Sequence, residues 1–459
     1  MDRLSELFSY QTKGVLWLLE RPKGMLAWEM GTGKTPVTVR AWEMTREQGP
    51  LLVVCPNTAM RNWKREIERF ALDIYWPPKV EIFRDSRAAP STSADVIIIN
   101  YEKLINSCCM HALQSRWGRW GAIVFDEGHR LKTTRAKVTR AAYGPAKLPL
   151  VECSDRIWLA TGTPMPNHPG ELYSHAQALW ADRIQYGGHV MKEWEWQAAF
   201  CEMRAGDYGV KIVGAKNLDE LRDRLSPVIS VLKRRDVLDL PPCVIDVWPL
   251  DEGAARFKIP QVPGLLGTLE DRYGALQDID IFDADTLGSY LACIHAALLP
   301  LPSVRRETAQ LKAIYAALTA SQELDDDAAR KMVIFAIHRE ALATLEKGLS
   351  KFKPAVVHGD VPEKKRQAEI DRFQNDPACR VFIGQLTAAG SSINLQAANE
   401  VLFVEASWVP GDNSQALSRV YRNGQKKPVT VRFMYLPGSI DEAVMRANKR
   451  KLEMVAKVF

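Results

Sequence analysis

Short apolar runs alternate along the chain with stretches in which apolar residues recur at helical spacing. Each run is bounded by Gly, Pro, Asn or Asp, a pattern typical of buried parallel strands joined by crossover helices. In the first half, the predicted strands are MLAW, LLVVC, DVIIIN, AIVFDE and RIWLATGT. In the second half, they are MVIFAIH, AVVHGD, RVFIGQ, VLFVEA and VTVRFMYL. Two such sets favour two doubly wound α/β lobes over one oversized sheet.

The part of the chain between the two sets, residues 166–310, lacks this strand alternation. It carries Trp180, Trp194 and Trp196 in an amphipathic, helix-like context. We interpret it as a helical insertion and hinge, and we expect its tryptophans to pack in a core rather than to stack on bases. The predicted domains are therefore 1–165, 166–310 and 311–459.

Composition narrows the class of protein without selecting a function. The chain has 459 residues, of which 46% are hydrophobic and 25% charged, as in ordinary globular proteins with two to four domains. We see no apolar run long enough to cross a bilayer and no signal-peptide pattern. We therefore expect no membrane association and a cytoplasmic location, on the nucleoid or, for a phage protein, in the host cytoplasm.

Charge and cysteine content add two weaker constraints. The formal net charge of +6 permits nucleic-acid binding without requiring it. The eight cysteines form no C-x-x-C pair and show no metal-ligand spacing, so we do not expect a zinc site.

The strongest local motif is the sequence GTGKT, which follows the predicted strand MLAW and precedes helix-compatible sequence. Glycines in such a loop let backbone N–H groups approach phosphates, while the lysine neutralises phosphate oxygens and the threonine hydroxyl binds Mg²⁺. The motif predicts ATP or GTP binding, although Trp28 stands where the full pattern has glycine. The candidate nucleotide-binding residues are Gly31, Thr32, Gly33, Lys34 and Thr35.

A second motif, AIVFDEGH, places two carboxylates at the carboxyl end of a predicted buried strand. At that position Asp126 is suited to hold Mg²⁺ together with Thr35, and Glu127 is suited to orient or deprotonate the attacking water. The sequence therefore predicts hydrolysis as well as binding of the nucleotide.

Two arginines near the other end of the chain complete the candidate catalytic set. Arg419 and Arg422 lie three residues apart, so a helix would place both guanidinium groups on one face. From the second lobe they could reach a γ-phosphate as arginine fingers, whose contribution to the rate is about 10³–10⁵ where it has been measured.

The blocks of sequence around these motifs resemble superfamily-two helicases, and specifically the Swi/Snf-type DNA translocases, from Tyr10 to about Val444. The resemblance rests on the order of blocks, which in the first half are YQTKGVLWLL, VVCPNTAMRNWKREIERF, IIINYEKL, DEGHRLK, LATGTPMPNHPGELYSH and LKRRDVLDLPP. In the second half they are VVHGDVPEKKRQAEIDRFQ, TAAGSSINLQAANEVLFVEASWVPGDNSQALSRVYRNGQ and FMYLPGSIDEAV. It implies two RecA-like lobes that use ATP and Mg²⁺.

The resemblance also implies roles for residues outside the two motifs. Gln11 would contact the adenine, Thr161 and Thr163 would couple the ATP site to lobe movement, and Gln415 is a further nucleotide-binding candidate. Double-stranded DNA would be held through its phosphates, largely independently of sequence. The candidate nucleic-acid contacts are Asn57, Thr58, Arg61, Gly359, Thr387 and Ala388.

The chain departs from the family pattern at several positions. Gly128 replaces the alanine of D-E-A-H, and it is the departure closest to the chemistry. Ile393, Asn394 and Leu395 stand where the family has G-L-N-L, while Glu405 and Val409 replace a common Asp and Asn. In having a glutamate at position 405, the chain is similar to the fork-remodelling, strand-annealing branch of the family.

The sequence thus leads to the hypothesis of a monomeric ATP-driven motor that moves along double-stranded DNA and is recruited by a partner protein. A strand-separating DNA or RNA helicase is one alternative, because it shares the same engine and needs only a wedge. A catalytically weak nucleic-acid-binding module is another, because Trp28 and Gly128 alter the nucleotide motifs.

Overall fold

The computed structural model describes residues 7–70, 77–84, 91, 93–115, 119–144, 149–206, 209–250, 301–386, 393–437, 439, 441, 444, 445 and 448. Contacts divide the chain into two compact units. Among the described residues, the first unit takes those up to Cys201 and Ala215–Leu238, and the second takes Glu202–Gly214 and those from Asp239 onward. Each unit is built around its own parallel sheet.

The strands and helices follow in chain order. The strands are β1 (Lys23–Trp28), β2 (Leu51–Cys55), β3 (Val80–Ile82), β4 (Val96–Asn100), β5 (Ala122–Asp126), β6 (Ile157–Ala160), β7 (Gln185–Tyr186), β8 (His189–Val190), β9 (Cys201–Gly206), β10 (Gly209–Ala215), β11 (Ile229–Leu232), β12 (Cys243–Pro249), β13 (Met332–Ala336), β14 (Ala355–Val357), β15 (Val381–Gln385), β16 (Glu400–Phe403) and β17 (Val429–Tyr435). The helices are α1 (Ser9–Glu20), α2 (Lys34–Glu43), α3 (Met60–Phe70), α4 (Ser107–Ser115), α5 (Lys137–Tyr143), α6 (Tyr173–Leu179), α7 (Glu193–Phe200), α8 (Leu218–Leu225), α9 (Leu301–Asp326), α10 (Arg339–Gly348), α11 (Glu363–Asn375) and α12 (Pro410–Leu417).

The sheet of the first unit has the strand order β11-β1-β6-β5-β2-β4-β3, and its paired strands are parallel. Its central strands are buried along their length because helices cover both faces of such a sheet. In the register, Ala160 of β6 lies beside Leu26 of β1 and Asp126 of β5. The loops that follow these three strands therefore begin next to one another, at the carboxyl edge where α/β sheets bind ligands.

The sheet of the second unit has the order β12-β17-β16-β13-β15-β14, again with parallel pairs. At its centre, Ala336 of β13 pairs with Gln385, and Phe335 pairs with Phe403. Apolar clusters cover both faces of this sheet. The segments after β13, β15 and β16 thus share one edge of the second sheet.

All ten predicted strands are present, and two parallel-sheet units confirm the predicted fold class. The boundaries differ from the predicted 1–165, 166–310 and 311–459, because the described part of the middle segment contains strands as well as α6, α7 and α8. β11 pairs with β1 in the first sheet, and β12 pairs with β17 in the second. The sequence concealed them because β11 has only four residues and β12 is interrupted by Asp246 and ends at Pro249.

The tryptophans of the middle segment divide between core and surface. Trp180 and Trp196 are buried, as predicted, and their indole N–H groups donate to the carbonyl oxygens of Lys23 and Pro169. Trp194 instead has 63% of its surface exposed, so the prediction of core packing was wrong for this residue. None of the helices in the described part of the chain is both long and apolar enough to cross a membrane.

Candidate functional site

The glycine-rich loop joins β1 to α2 and has the backbone geometry of a phosphate-binding turn. Gly31 and Gly33 have φ values of 83° and 82°, in the left-handed region that glycine adopts without strain. The loop is held from outside, because Gln11 Nε2 and the Tyr10 hydroxyl both donate to the carbonyl oxygen of Thr32. The N-terminus of α2, which begins at Lys34, is left as a source of N–H groups for an anion.

Replacing Gly33 by alanine is expected to disrupt the loop. A Cβ atom at this position would lie 2.1 Å from Gln11 Nε2, and the left-handed backbone would be strained as well. We expect Gly33→Ala to lose about 1–2 kcal/mol of unfolding free energy from the backbone and to bind ATP more weakly. Gly188→Ala is the matched control, because Gly188 has φ of 84° with nothing within 4 Å of the added atom. Chemical denaturation and ATP titration of both variants would test this, and equal ATP affinity would contradict the expectation.

Lys34 lies between the loop and the two carboxylates at the carboxyl end of β5. Its ammonium donates to the carbonyl oxygens of Trp28 at 2.8 Å and Glu29 at 3.2 Å. Burial lowers the pKa of Lys34, whereas the charges of Glu127 and Asp126 act in the opposite direction. The positive charge of Lys34 therefore lies beside the glycine loop, where the oxygens of a bound phosphate would carry negative charge.

Trp28 proves compatible with the loop although it replaces a glycine of the usual motif. Its ring is 2% exposed and packs against Gly14 of α1, where an added Cβ atom would come within 2.3 Å of the indole. The indole N–H donates to Ser230 Oγ at 2.9 Å. The side chain therefore occupies the space between β1, α1 and β11, and its backbone carbonyl still supports Lys34.

Asp126 ends β5 and is held at two atoms by aromatic side chains. Trp63 Nε1 donates to Asp126 Oδ2 at 2.7 Å, and the Tyr101 hydroxyl donates to its backbone carbonyl oxygen at 2.7 Å. Burial and the neighbouring charge of Glu127 raise the pKa of Asp126 to about 6, whereas the Trp63 hydrogen bond and Lys34 act to lower it. Buried negative charge of this kind favours a bound cation.

Glu127 is connected through His129 to the two threonines that follow β6. Its Oε2 lies 3.5 Å from His129 Nδ1, which in turn lies 2.9 Å from Thr161 Oγ1 and 3.2 Å from Thr163 Oγ1. Burial, reinforced by Lys132 and Arg130, lowers the pKa of His129 to about 4, so the imidazole is neutral at physiological pH. The structure thus brings the coupling candidates within two contacts of the candidate base.

Gly128 sits where the neighbouring core has already filled the available space. A Cβ atom there would lie 3.1 Å from Leu159 Cδ2 and 3.3 Å from Leu159 Cβ, which is tighter than ordinary contact. The glycine is therefore matched to Leu159 on β6, and its replacement of the family's alanine has a packing explanation.

The residues at this edge fit ATP and Mg²⁺ by their chemistry. Left-handed glycines and a helix N-terminus offer donors to phosphates, and Lys34 adds a positive charge beside them. Asp126 supplies the oxygen ligand that Mg²⁺ prefers, and Thr35 in the first turn of α2 supplies a hydroxyl. The structure thus brings the glycine loop, Lys34, Asp126 and Glu127 together on the first unit.

Two nucleic-acid candidates of the first unit, Asn57 and Thr58, lie in the turn between β2 and α3, and the third, Arg61, lies in the first turn of α3. Asn57, Thr58 and Arg61 are exposed, while Met60, Trp63 and Ile67 bury the opposite face of the helix. In the second unit Gly359 is exposed, and its N–H donates to Gln385 Oε1 at 2.9 Å. Thr387 and Ala388 lie outside the described residues.

The prediction that Arg419 and Arg422 share a helix face was wrong. Helix α12 carries Gln415 but ends at Leu417, and both arginines lie in the turns that follow. Backbone groups that a continuing helix would use are taken elsewhere: Leu395 N donates to the carbonyl oxygen of Arg419 at 2.9 Å. Gln425 Nε2 donates to the carbonyl oxygens of Ala398 and Val420 at 2.9 and 3.3 Å.

The length of the Glu405 side chain accounts for one departure from the family pattern. Its Oε2 accepts from the backbone N–H groups of Ile337 and His338 at 2.8 and 2.9 Å, and its Oε1 lies 2.7 Å from His338 Nδ1. Burial acts to raise the pKa of Glu405, but these hydrogen bonds outweigh it and hold the pKa below its ordinary value. The longer side chain thereby joins the ends of β13 and β16.

Three contacting residues were missed by sequence reasoning. Trp63 holds Asp126, His129 links Glu127 to the threonines, and Arg234 donates its backbone N–H and Nε to Glu29 Oε2 at 2.9 and 3.3 Å. The histidine of DEGH and the arginines of LKRRD were visible as parts of motifs. No local pattern indicated the partner of any of them.

The comparisons with known proteins cover almost the whole chain. The family model described as SNF2-related domain matches residues 10–249, and the helicase conserved C-terminal domain matches residues 312–424. A Caenorhabditis elegans homolog of SWI/SNF-related matrix-associated actin-dependent regulator of chromatin subfamily A-like protein 1 is 28% identical over 99% of this chain. The Bos taurus DNA annealing helicase and endonuclease ZRANB3 is 26% identical over 100% of it.

This chain spans only part of those relatives, 62% of the nematode protein and 41% of the bovine protein. Among solved structures, the Sulfolobus solfataricus SWI2/SNF2 ATPase core in complex with dsDNA is 22% identical, with a TM-score of 0.44 and coverage of 96% of this chain and 90% of that one. Since the SNF2-related model alone matches residues 10–249 of 459, the chain belongs to the SNF2-related family, the Swi/Snf-type branch of the superfamily-two helicases.

Proposed function

We propose that this protein hydrolyses ATP and uses the energy to move along double-stranded DNA. The observation that carries the proposal is the meeting of Lys34, Asp126 and Glu127 at one edge of the first sheet, with the glycine loop between β1 and α2. These residues form a phosphate-binding and hydrolytic set, and they belong to an SNF2-related chain.

Each residue of the set has a defined part in the proposed reaction. Gln11 contacts the adenine, the loop N–H groups and Lys34 bind phosphate oxygens, and Asp126 with Thr35 holds Mg²⁺, which offsets phosphate charge when bound. Glu127 orients and deprotonates the attacking water. Gln415, Arg419 and Arg422 act from the second unit, and the arginines stabilise charge on the transferred phosphoryl group.

The proposed track is the sugar-phosphate backbone of duplex DNA. Support comes from the exposed turn at Asn57 and Thr58, from exposed Arg61 at the start of α3, and from exposed Gly359 in the second unit. Contacts within the first unit support coupling between DNA movement and ATP hydrolysis, because His129 links Glu127 to Thr161 and Thr163. The proposal extends to a monomer that a partner protein recruits, since one chain carries both sets of motifs.

ATP turnover with and without duplex DNA tests the proposal. We expect duplex to stimulate turnover strongly and stimulation to decline steeply with salt, because phosphate contacts release counterions. Lys34→Ala should abolish turnover by removing the charge beside the phosphates. A rate of ATP turnover that is the same with and without duplex DNA, or full activity of Lys34→Ala, would contradict the proposal.

The substrate within this class is resolved by comparing DNA forms. The names of the relatives include a DNA annealing helicase, and we propose that forked or partly single-stranded DNA stimulates turnover more than plain duplex does. Triplex displacement without strand separation would identify a duplex translocase, whereas release of a labelled strand would identify a separating helicase. Absence of phosphate release on every substrate would leave a nucleic-acid-binding module.

A further inference from the structure

Helix α3 connects the exposed turn of the first unit to the acidic end of β5. The helix begins at Met60, two residues after Thr58, and one turn later Trp63 enters the core with 1% of its surface exposed. Met60, Trp63 and Ile67 occupy one face by their spacing, which fixes the rotation of the helix about its axis. One helical turn, packed against the core at Met60 and Trp63, therefore separates the exposed turn from the buried indole.

The contact at the inner end of this helix is specific. Trp63 Nε1 donates to Asp126 Oδ2 at 2.7 Å, and the indole has no second donor. Tyr101 holds the backbone carbonyl of Asp126 separately, at 2.7 Å. The tryptophan thus contacts the carboxylate while the tyrosine contacts the backbone that carries it, so the side chain and the main chain of Asp126 are held by different elements.

We propose that Trp63 is a positioning residue that transmits contact at the Asn57–Thr58 turn to the metal-binding carboxylate of Asp126. The inference rests on the proposed function and adds the route by which contact with DNA is transmitted to the ATP site. Binding of DNA phosphates at the turn fixes α3, and α3 fixes the orientation of Asp126 through the indole N–H. By linkage, a metal held by Asp126 strengthens DNA binding by the same factor.

The test measures metal binding rather than turnover. Mn²⁺ replaces Mg²⁺, and its affinity in the presence of a non-hydrolysable ATP analogue is measured by electron paramagnetic resonance, with and without a blunt duplex. We expect duplex to tighten Mn²⁺ binding in the unaltered protein. Trp63→Phe should weaken Mn²⁺ binding by about 10-fold, the lower end for lost partners of metal ligands, and should remove the response to duplex.

Trp120→Phe is the matched control. Trp120 is 2% exposed, donates its indole N–H to the carbonyl oxygen of Leu113 at 3.2 Å, and precedes β5 at the end opposite Asp126. It should lose core packing as Trp63→Phe does while keeping the Mn²⁺ affinity and the response to duplex. Equal values in Trp63→Phe and Trp120→Phe would overturn the proposal, whether or not both differ from the unaltered protein.

Two further results keep the inference separate from the proposed function. Trp63→His retains a ring N–H and should recover part of the duplex response that Trp63→Phe loses. If Trp63→Phe does not fold in a thermal melt, Trp63→His and the unaltered protein are compared instead. A Mn²⁺ affinity of the unaltered protein that is the same with and without duplex would also overturn the link. Failure of the proposed function appears instead as absent ATP turnover in the unaltered protein, which the metal measurement does not require.

Discussion

Arg422→Ala is expected to lower ATP turnover by about 10³–10⁵-fold, the range measured for arginine fingers. The reason is that a guanidinium placed on the transferred phosphoryl group stabilises charge that develops only in the transition state. ATP binding should therefore change little. Single-turnover hydrolysis with saturating ATP and duplex, together with a nucleotide binding titration, measures both quantities.

The control for Arg422 is Arg222→Ala on α8. Arg222 is a surface arginine that pairs with Asp219 at 3.0 Å one helical turn away, and exposed pairs of this kind contribute little. Its loss should leave turnover and ATP affinity near their original values. Weakened ATP binding with normal single-turnover hydrolysis in Arg422→Ala would assign the residue to ground-state binding instead.

Glu127→Gln is expected to reduce turnover by about 10²–10⁴-fold, because the amide cannot accept the proton of the attacking water. The change keeps the size of the side chain, so the contacts around His129 should persist. ATP and duplex DNA should still bind, and duplex should no longer accelerate phosphate release. A rapid-quench measurement separates the chemical step from product release.

Glu102→Gln provides the comparison for Glu127. This glutamate is exposed and pairs with Arg130 at 3.4 Å, close to Tyr101 but outside the set that meets at the loop. We expect near-normal hydrolysis from it. A normal chemical rate in Glu127→Gln would show that another group activates the water, and His129 would be an unsuitable substitute because its pKa of about 4 leaves it a weak base.

The second unit shows how local prediction fails when tertiary contacts take over backbone groups. The spacing of Arg419 and Arg422 suits a helix face, yet α12 stops at Leu417. The carbonyl oxygen of Arg419 accepts from Leu395, a residue 24 positions earlier, and the side chain of Gln425 bonds to the carbonyl oxygen of Val420. Side-chain spacing alone contains no information about such distant competitors.

The sequence by itself determined ten strands of the two main sheets and the chemistry of the first-unit motifs. An uninterrupted apolar run such as LLVVC favours burial in a covered sheet, and a glycine loop followed by lysine and threonine is typical of phosphate binding, so both were predictable from residue types in order. The family followed from the same blocks, and the matched domains confirm it.

Only the tertiary structure decided which distant side chains meet. Trp63 and Asp126 are 63 positions apart, and Arg234 and Glu29 are 205 apart. The places of β11 and β12 in separate sheets were likewise settled by pairing with β1 and β17. Such contacts depend on strand register and helix packing across the whole unit, whereas periodicity along the chain reports only which face of each element is buried.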